Sequence, residues 1–570
     1  MRRTTFGVVG IVVLLIGLTL AACGADDTES TTTSPPGTGG VTATTAAATT
    51  TTPSTTTPSG EPNVLVIGTT NSPVSWDSAG QDTTMDWNVI ANFNSSLYRM
   101  DGSEVVPDMA VALPEPSEDG LTYTVTLRDD IMFGDGTPLT ADLYAQQFQR
   151  TLDFGSLGAE IRVLPFVESV EVVGEYEVAF HLTGRNAVMN AWMTTASYSV
   201  SHPDIFPADE LLNLPEPPVY GTGPFILTDY DLTEGRIVLE PNPFYYGDPP
   251  AWDQVIWRIF EDPQTMALSL QNGEIDVAWK TLVEDQLASL RDDPNITAAS
   301  SSEGLLYFIV NHKMAPSDDK NVNQAVAAII DREAVLDRVY GGFGHLTAYS
   351  PIPYNVMGSE PTFQAKFSPP NNVELAETLL AESGYSRDNP VHVVFGVSTS
   401  QWGPNNTEAT NLFAEQLNAT GLFDAEVLDV EWSTYLEGLL AGETYNYSFL
   451  DKSPVSDPAQ VTGLFVSGTG VGTWVTDEDD NPIYEGAQAM LDLLSLGQGQ
   501  LDPDDRLDTY HEVGELWAEM VVTIPLFLKL SEIAYRSDRI VGDPGVARPE
   551  SLGISLNDQF YVDRVIPLGG

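Results

Sequence analysis

The chain has one cysteine in 570 residues. No disulfide can form within it, so its stability must come from the packing of apolar side chains. Basic residues are scarce as well: Lys plus Arg is 24 against 81 Asp plus Glu, a formal net charge of −57. Such a surface lacks the basic patches that nucleic acid requires, and an anionic lipid surface would repel it. The six histidines, His181, His202, His312, His345, His392 and His511, form no close pair. There is no His-Glu-x-x-His helix and no Cys cluster, which excludes the common zinc-enzyme patterns. No Gly-x-Ser-x-Gly elbow marks a nucleophilic hydrolase. Gly221-Thr-Gly-Pro-Phe225 lacks the spacing and the Lys-Ser/Thr of a phosphate loop, and Gly468-Thr-Gly-Val-Gly472 is a poor dinucleotide fingerprint. Both read as turns or loops. The chemistry of an enzyme is therefore missing, and no cofactor or metal is expected.

What is present begins at the N-terminus. Arg2 and Arg3 precede an apolar segment from Gly7 to Leu20, which ends in Leu20-Ala21-Ala22-Cys23. A basic n-region, an apolar h-region and small residues at the cut site make a secretory signal, and the segment is short for a membrane span. The site resembles the lipobox of bacterial lipoproteins, in which cleavage leaves the Cys as a lipidated N-terminus. Residues 1–22 are thus expected to be a signal peptide. Residues 23–60 are expected to be a lipidated Cys23 followed by a Thr/Ser/Pro stalk too poor in apolar residues to build a core. The lipid, not charge, would be the membrane tether.

From Glu61 the pattern is mixed α and β. Val64 to Gly68 reads as a buried strand. Leu121, Tyr123, Val125 and Leu127 alternate with threonines, a half-buried strand, and Asp135-Gly136 marks a turn. Thr140 is a plausible N-cap for a helix through Arg150. Val170 to Leu182, turning near Gly174, reads as a hairpin. Val322, Ala325, Val326, Ile329 and Ile330 share a helical face. Asp331 is expected to cap the next helix, which stops at Gly341-Gly342. Glu374 to Ser383 and Ala409 to Leu417 read as helices, and Val391 to Val397 and Val521 to Leu530 as strands, the last despite Pro525.

Several segments then line up in order with one family. Leu121-Thr-Tyr-Thr-Val-Thr-Leu-Arg-Asp-Asp-Ile-Met-Phe133 is followed by Gly134-Asp-Gly-Thr-Pro-Leu-Thr-Ala-Asp142. Leu97-Tyr98-Arg99 and Pro107-Asp108-Met109-Ala110 come before it. Gly221 to Phe225, Asn242-Pro-Phe-Tyr245, Leu270 to Asp276, Asn323-Gln-Ala325, Ala328 to Arg332 and Leu379 to Tyr385 come after. Together they resemble the extracytoplasmic solute-binding proteins of peptide-type ABC importers, the class that binds oligopeptides, dipeptides, nickel complexes and some oligosaccharides.

The resemblance implies an α/β, two-lobed periplasmic-binding-protein fold with mixed sheets flanked by helices, a hinge, and an extra subdomain. Lobe I would be 61–98, 219–297 and 521–570; the inserted subdomain 99–218; lobe II 298–520. It implies a monomer that captures a solute, a short peptide first of all, and delivers it to membrane permease subunits. An oligosaccharide or a metal chelate is the alternative within the class, and a surface sensor without transport the alternative outside it. Trp432 aligns with a cleft-lining position of the peptide binders. Trp402 follows a strand end in a polar stretch, where it could stack on ligand. Phe527 falls where the family often has a Tyr near the ligand, and Asn71 and Ser72 follow the first strand, where relatives contact ligand. Peptide binders commonly anchor the ligand's ammonium with an Asp three residues before an Asp/Glu-Pro step. Here that position is Pro454, in Asp451-Lys-Ser-Pro-Val-Ser-Asp457-Pro458. Asp451 or Asp457 would have to replace it.

Overall fold

The structure is a computed structural model. It describes residues 62–568 apart from 102–103, 280–281, 283, 342–344, 355, 453–456, 463–481, 484–485 and 542–559. Cys23, Pro454 and the Gly468–Gly472 loop lie outside the described residues.

An eleven-stranded sheet organises the described chain. Its strands are β1 (Val64–Thr69), β2 (Phe225–Asp231), β3 (Arg236–Pro241), β4 (Gln254–Ile259), β5 (Val277–Trp279), β6 (Ile296–Val310), β7 (His345–Thr347), β8 (Val391–Val397), β9 (Phe423–Asp429), β10 (Tyr447–Lys452) and β11 (Thr523–Arg536). Their order is β9-β8-β10-β6-β11-β5-β1-β4-β3-β2, with β7 also on β11. The two long strands, β6 and β11, pair antiparallel from Ile296↔Arg536 to Ile309↔Thr523 and run through both halves of the sheet. Each half is buried under its own helices. One core gathers Phe308, Phe395, Phe413, Tyr447 and Trp517. A second gathers Leu65, Trp76, Trp252, Trp257 and Trp279, and a smaller cluster around Met266, Leu270 and Ile275 covers the other face of β1 and β5. Two lobes share one sheet.

The sequence reading assigns everything from Val521 to lobe I. The structure corrects this. Val522, Ile524, Leu526, Phe527 and Leu528 pack in the core of lobe II, and only Ile533, Tyr535 and later residues join lobe I. β11 belongs to both lobes because it is long enough, at 14 residues, to cross from one core to the other. Pro525 is tolerated at a bulge: Leu306 faces Phe527 while Tyr307 faces Pro525, so one residue is left over. The Pro525 carbonyl accepts from Arg332 Nε at 2.7 Å.

A third core, from Leu97 to Val200, surrounds the three-stranded sheet of Thr122–Thr126, Glu177–Leu182 and Val167–Gly174. The alternation in the first strand is as the sequence predicts, with Tyr123 and Val125 buried. The hairpin forms, and Thr140 accepts from the Leu143 N–H to cap the helix Ala141–Phe154. That helix carries Arg150, whose guanidinium meets Asp77 of lobe I in a fully buried bidentate pair at 2.6 and 2.8 Å. Gly221 lies against the end of the helix Thr84–Phe93. A Cβ there would stand 1.9 Å from the Phe93 carbonyl oxygen, so the Gly-Thr-Gly-Pro turn is a close backbone approach and not a phosphate loop.

Candidate functional site

Strand direction marks out a candidate site before any side chain is considered. β8, β9 and β10 run parallel to one another, so Val397, Asp429 and Lys452 end at one edge. β6 runs antiparallel to β10 and begins its lobe II stretch there, near Leu305. β1, β4 and β5 are also mutually parallel. Because β5 meets β11 at Trp279↔Ile533, their carboxyl ends point at the same crossing. The carboxyl ends of both lobes' parallel strands thus face each other across β6 and β11. Ligands of open α/β sheets sit outside such ends.

On the lobe II side, three ends are tied together. The Thr399 N–H and Oγ1 donate to Asp429 at 2.9 and 2.6 Å. A first helical turn, Thr399–Trp402, is separated from the long remainder of the helix by Gly403, at φ 78° and ψ 170°. Trp402 is the last residue of that turn. It is half-buried and edge-on to Trp432, Tyr435 and Phe449, with centroids 5.1–5.4 Å apart. Trp432, also half-buried, stacks on Tyr435 at 5.7 Å. Glu431 caps the Trp432 helix through the Ser433 N–H and hydroxyl, and these bonds hold its carboxyl below the usual range.

Charge enters at Asp451. Its carboxylate lies 3.5 Å from Lys529 Nζ, with 25% and 36% of the two side chains exposed. Asp451 pairs with Leu306 and Lys529 with Gly304. Leu306 and Gly304 are two residues apart on β6, so all four face the same side of the sheet. The lysine reaches across β6 at the one place where it carries no side chain. On the other face, Leu305, Leu528, Thr347, Ile352, Pro353 and Tyr354 line an apolar cleft of about 270 Å³. Among the described residues no group of three His, Cys, Asp or Glu could hold a metal.

The comparisons with known proteins identify the family and the fold. The profile of the bacterial extracellular solute-binding proteins, family 5, matches residues 104–473. The chain belongs to this family. It is 28% identical over 310 residues to the probable D,D-dipeptide-binding periplasmic protein DdpA of Escherichia coli K12, which covers 53% of this chain and 59% of that protein. It is 26% identical over 494 residues to di/tripeptide-binding protein 2 of Pseudomonas aeruginosa, covering 82% and 90%. The fold is that of HbpA2 from Haemophilus parasuis, with a TM-score of 0.74 at 23% identity, covering 89% of this chain and 100% of that one.

This family 5 chain brings together Trp402, Trp432 and Asp451 at the lobe II strand ends. Asn71 and Ser72 follow β1 at the lobe I edge; Asn71 is half-buried with its N–H on Thr69 Oγ1 at 3.1 Å, and Ser72 is exposed. Two candidates are placed elsewhere. Asp457 is buried in a bidentate pair with Arg506 at 2.6 and 2.7 Å. Phe527 is fully buried, stacked on Phe413 at 6.0 Å and edge-on to Tyr340 at 5.4 Å. Sequence reasoning passed over Lys529. The signal was there: it is the sole charged residue of Val521–Leu530, in a chain poor in lysine.

Proposed function

We propose that this protein captures a short peptide between its two lobes and delivers it to the permease of an ABC importer, working outside the plasma membrane on a lipid tether at Cys23. The observation that carries the reading is the edge itself. Two sets of strand ends face each other, and the lobe II set carries a carboxylate, an ammonium and two indoles. A peptide offers what these take: charged ends, amide groups and apolar side chains. β6 and β11 are the only strands of the eleven, among the described residues, that pair within both halves of the sheet. Bending of these two would let the lobes close on the ligand and present a new surface to the permease.

The peptide class is taken from relatives named as dipeptide and di/tripeptide binders. With no catalytic constellation in the sequence, the role is that of a receptor and not an enzyme. The test is native mass spectrometry of the purified protein against separate pools of peptides, oligosaccharides and nickel chelates. Retention of peptides alone supports the reading. Retention of sugars or chelates without peptides overturns it.

A further inference from the structure

The two sides of the molecule also meet through elements other than β6 and β11. The Ala187 N–H, in the loop after the subdomain strand Glu177–Leu182, donates to the Gln498 carbonyl at 2.9 Å. Gln498 lies in the last turn of the helix Ala487–Gly499, which places Ala487, Met490 and Leu494 in the core of lobe II. Beside this bond Arg185 passes Gly499, where a Cβ would stand 3.6 Å from the Arg185 Cβ. We infer that this junction is a clasp between the inserted subdomain and lobe II, and that it sets how readily the lobes close. It uses none of the residues at the strand ends. The inference rests on the lobe closure proposed above, but not on the ligand being a peptide.

Three observations carry it. First, each half of the junction is fixed to one lobe. The subdomain is held on lobe I by the buried Arg150–Asp77 pair, at 2.6 and 2.8 Å, and the helix belongs to lobe II. Opening of the lobes must therefore part Ala187 from Gln498. A contact made only in the closed arrangement raises the closed fraction, and apparent affinity rises with that fraction. Second, the loop is held in place. The Asn186 carbonyl accepts from the Tyr123 hydroxyl at 3.0 Å, Asn186 Oδ1 accepts from the Val188 N–H at 3.0 Å, and Arg185 Nε donates to the Asp119 carbonyl at 2.8 Å. Its half of the clasp is preformed. Third, hydrogen-bonding capacity is left over on both sides. Asn186 is buried with its Nδ2 unpartnered, and Gln500 Oε1 is buried without a partner. One is a donor on the subdomain and the other an acceptor on lobe II, each within two residues of the bonded pair. Unpaired buried amides are costly, so a closer approach that joins them is favoured.

Clasp and closure are read separately, in the full chain and without ligand. The Ala187 amide is expected to exchange with deuterium about tenfold more slowly than an unbonded loop amide, the worth of one hydrogen bond. Gly499→Phe, which sets a ring against Arg185, should abolish that protection. Closure is read from the distance between spin labels at Glu168→Cys on the subdomain and Glu382→Cys on lobe II, both exposed, with Cys23→Ser removing the one native cysteine. Gly499→Phe should shift this distance distribution away from that of the parent. Ala187→Pro, which deletes the donor itself, should shift it in the same direction and serves if the first variant fails to fold. Ala-Ala should then bind either variant about tenfold more weakly. An Ala187 amide that exchanges freely in the wild type, or variants that fold yet leave the label distances unchanged, would overturn the inference. If Ala-Ala binds neither parent nor variant, the failure belongs to the peptide reading, and the exchange and distance measurements still decide the clasp.

Discussion

Single residues show how a side chain's partner decides its role. Asp457 sits in an Asp-Pro step that invites a ligand role, but Arg506, 49 residues away, takes both of its oxygens. Nothing local announces that pairing, which is why the sequence left Asp451 and Asp457 equal. Removing one member of a buried pair strands the other. Asp457→Asn is expected to lower unfolding free energy by about 3 kcal/mol, read from a urea melt, with peptide affinity unchanged. A loss of affinity without a loss of stability would return Asp457 to the ligand site. His312 supplies a pH signature. Burial pushes its pKa from 6.5 down to about 4, partly offset by a hydrogen bond with the Val522 backbone. The folded state therefore binds fewer protons than the unfolded chain between these values. The stability due to neutral His312 is complete above pH 6.5 and drains away as pH falls to about 4, by about 3 kcal/mol in all. His312→Gln should flatten the fall in urea midpoint across that window relative to wild type; parallel curves would refute the assignment.

Elements were legible where periodicity and punctuation agree. The Val391–Val397 strand, the Thr140 and Asp331 caps, and the helix ending before Gly384, at φ +84°, all stand as the residues predict. The helix read from Ala409 starts ten residues earlier, at Thr399. Gly403 divides a short turn, which carries Trp402, from the helix proper. The strand from Val521 begins two residues late, because Val521 itself ends the preceding helix at φ 53°. Gly403 adopts a backbone that only glycine holds comfortably, with open space where a Cβ would go. Gly403→Ala should therefore cost about 1–3 kcal/mol through the backbone alone, seen in the thermal midpoint. It should also shift the Trp402 fluorescence, since Trp402 is the residue next to this break. An unchanged emission spectrum would mean that Gly403 does not position it.

At the scale of the whole molecule, the ordered signature segments made the two-lobed fold readable, but not how the lobes share β11. A strand that serves two cores has one apolar pattern throughout, so periodicity cannot show where it changes partner. The compartment rests on the sequence of residues 20–23. Cys23→Ser is expected to abolish incorporation of labelled palmitate and to move the protein out of the membrane fraction; unchanged incorporation would contradict the tether.

The central claim is that a peptide is held by the facing strand ends of both lobes. Hydrogen–deuterium exchange with and without a bound dipeptide tests this most directly. The account predicts simultaneous protection of Thr69–Ser72 in lobe I and of Ser398–Trp402, Val430–Trp432 and Leu450–Lys452 in lobe II. Protection confined to one lobe, or lying away from these ends while peptide is bound, would contradict it.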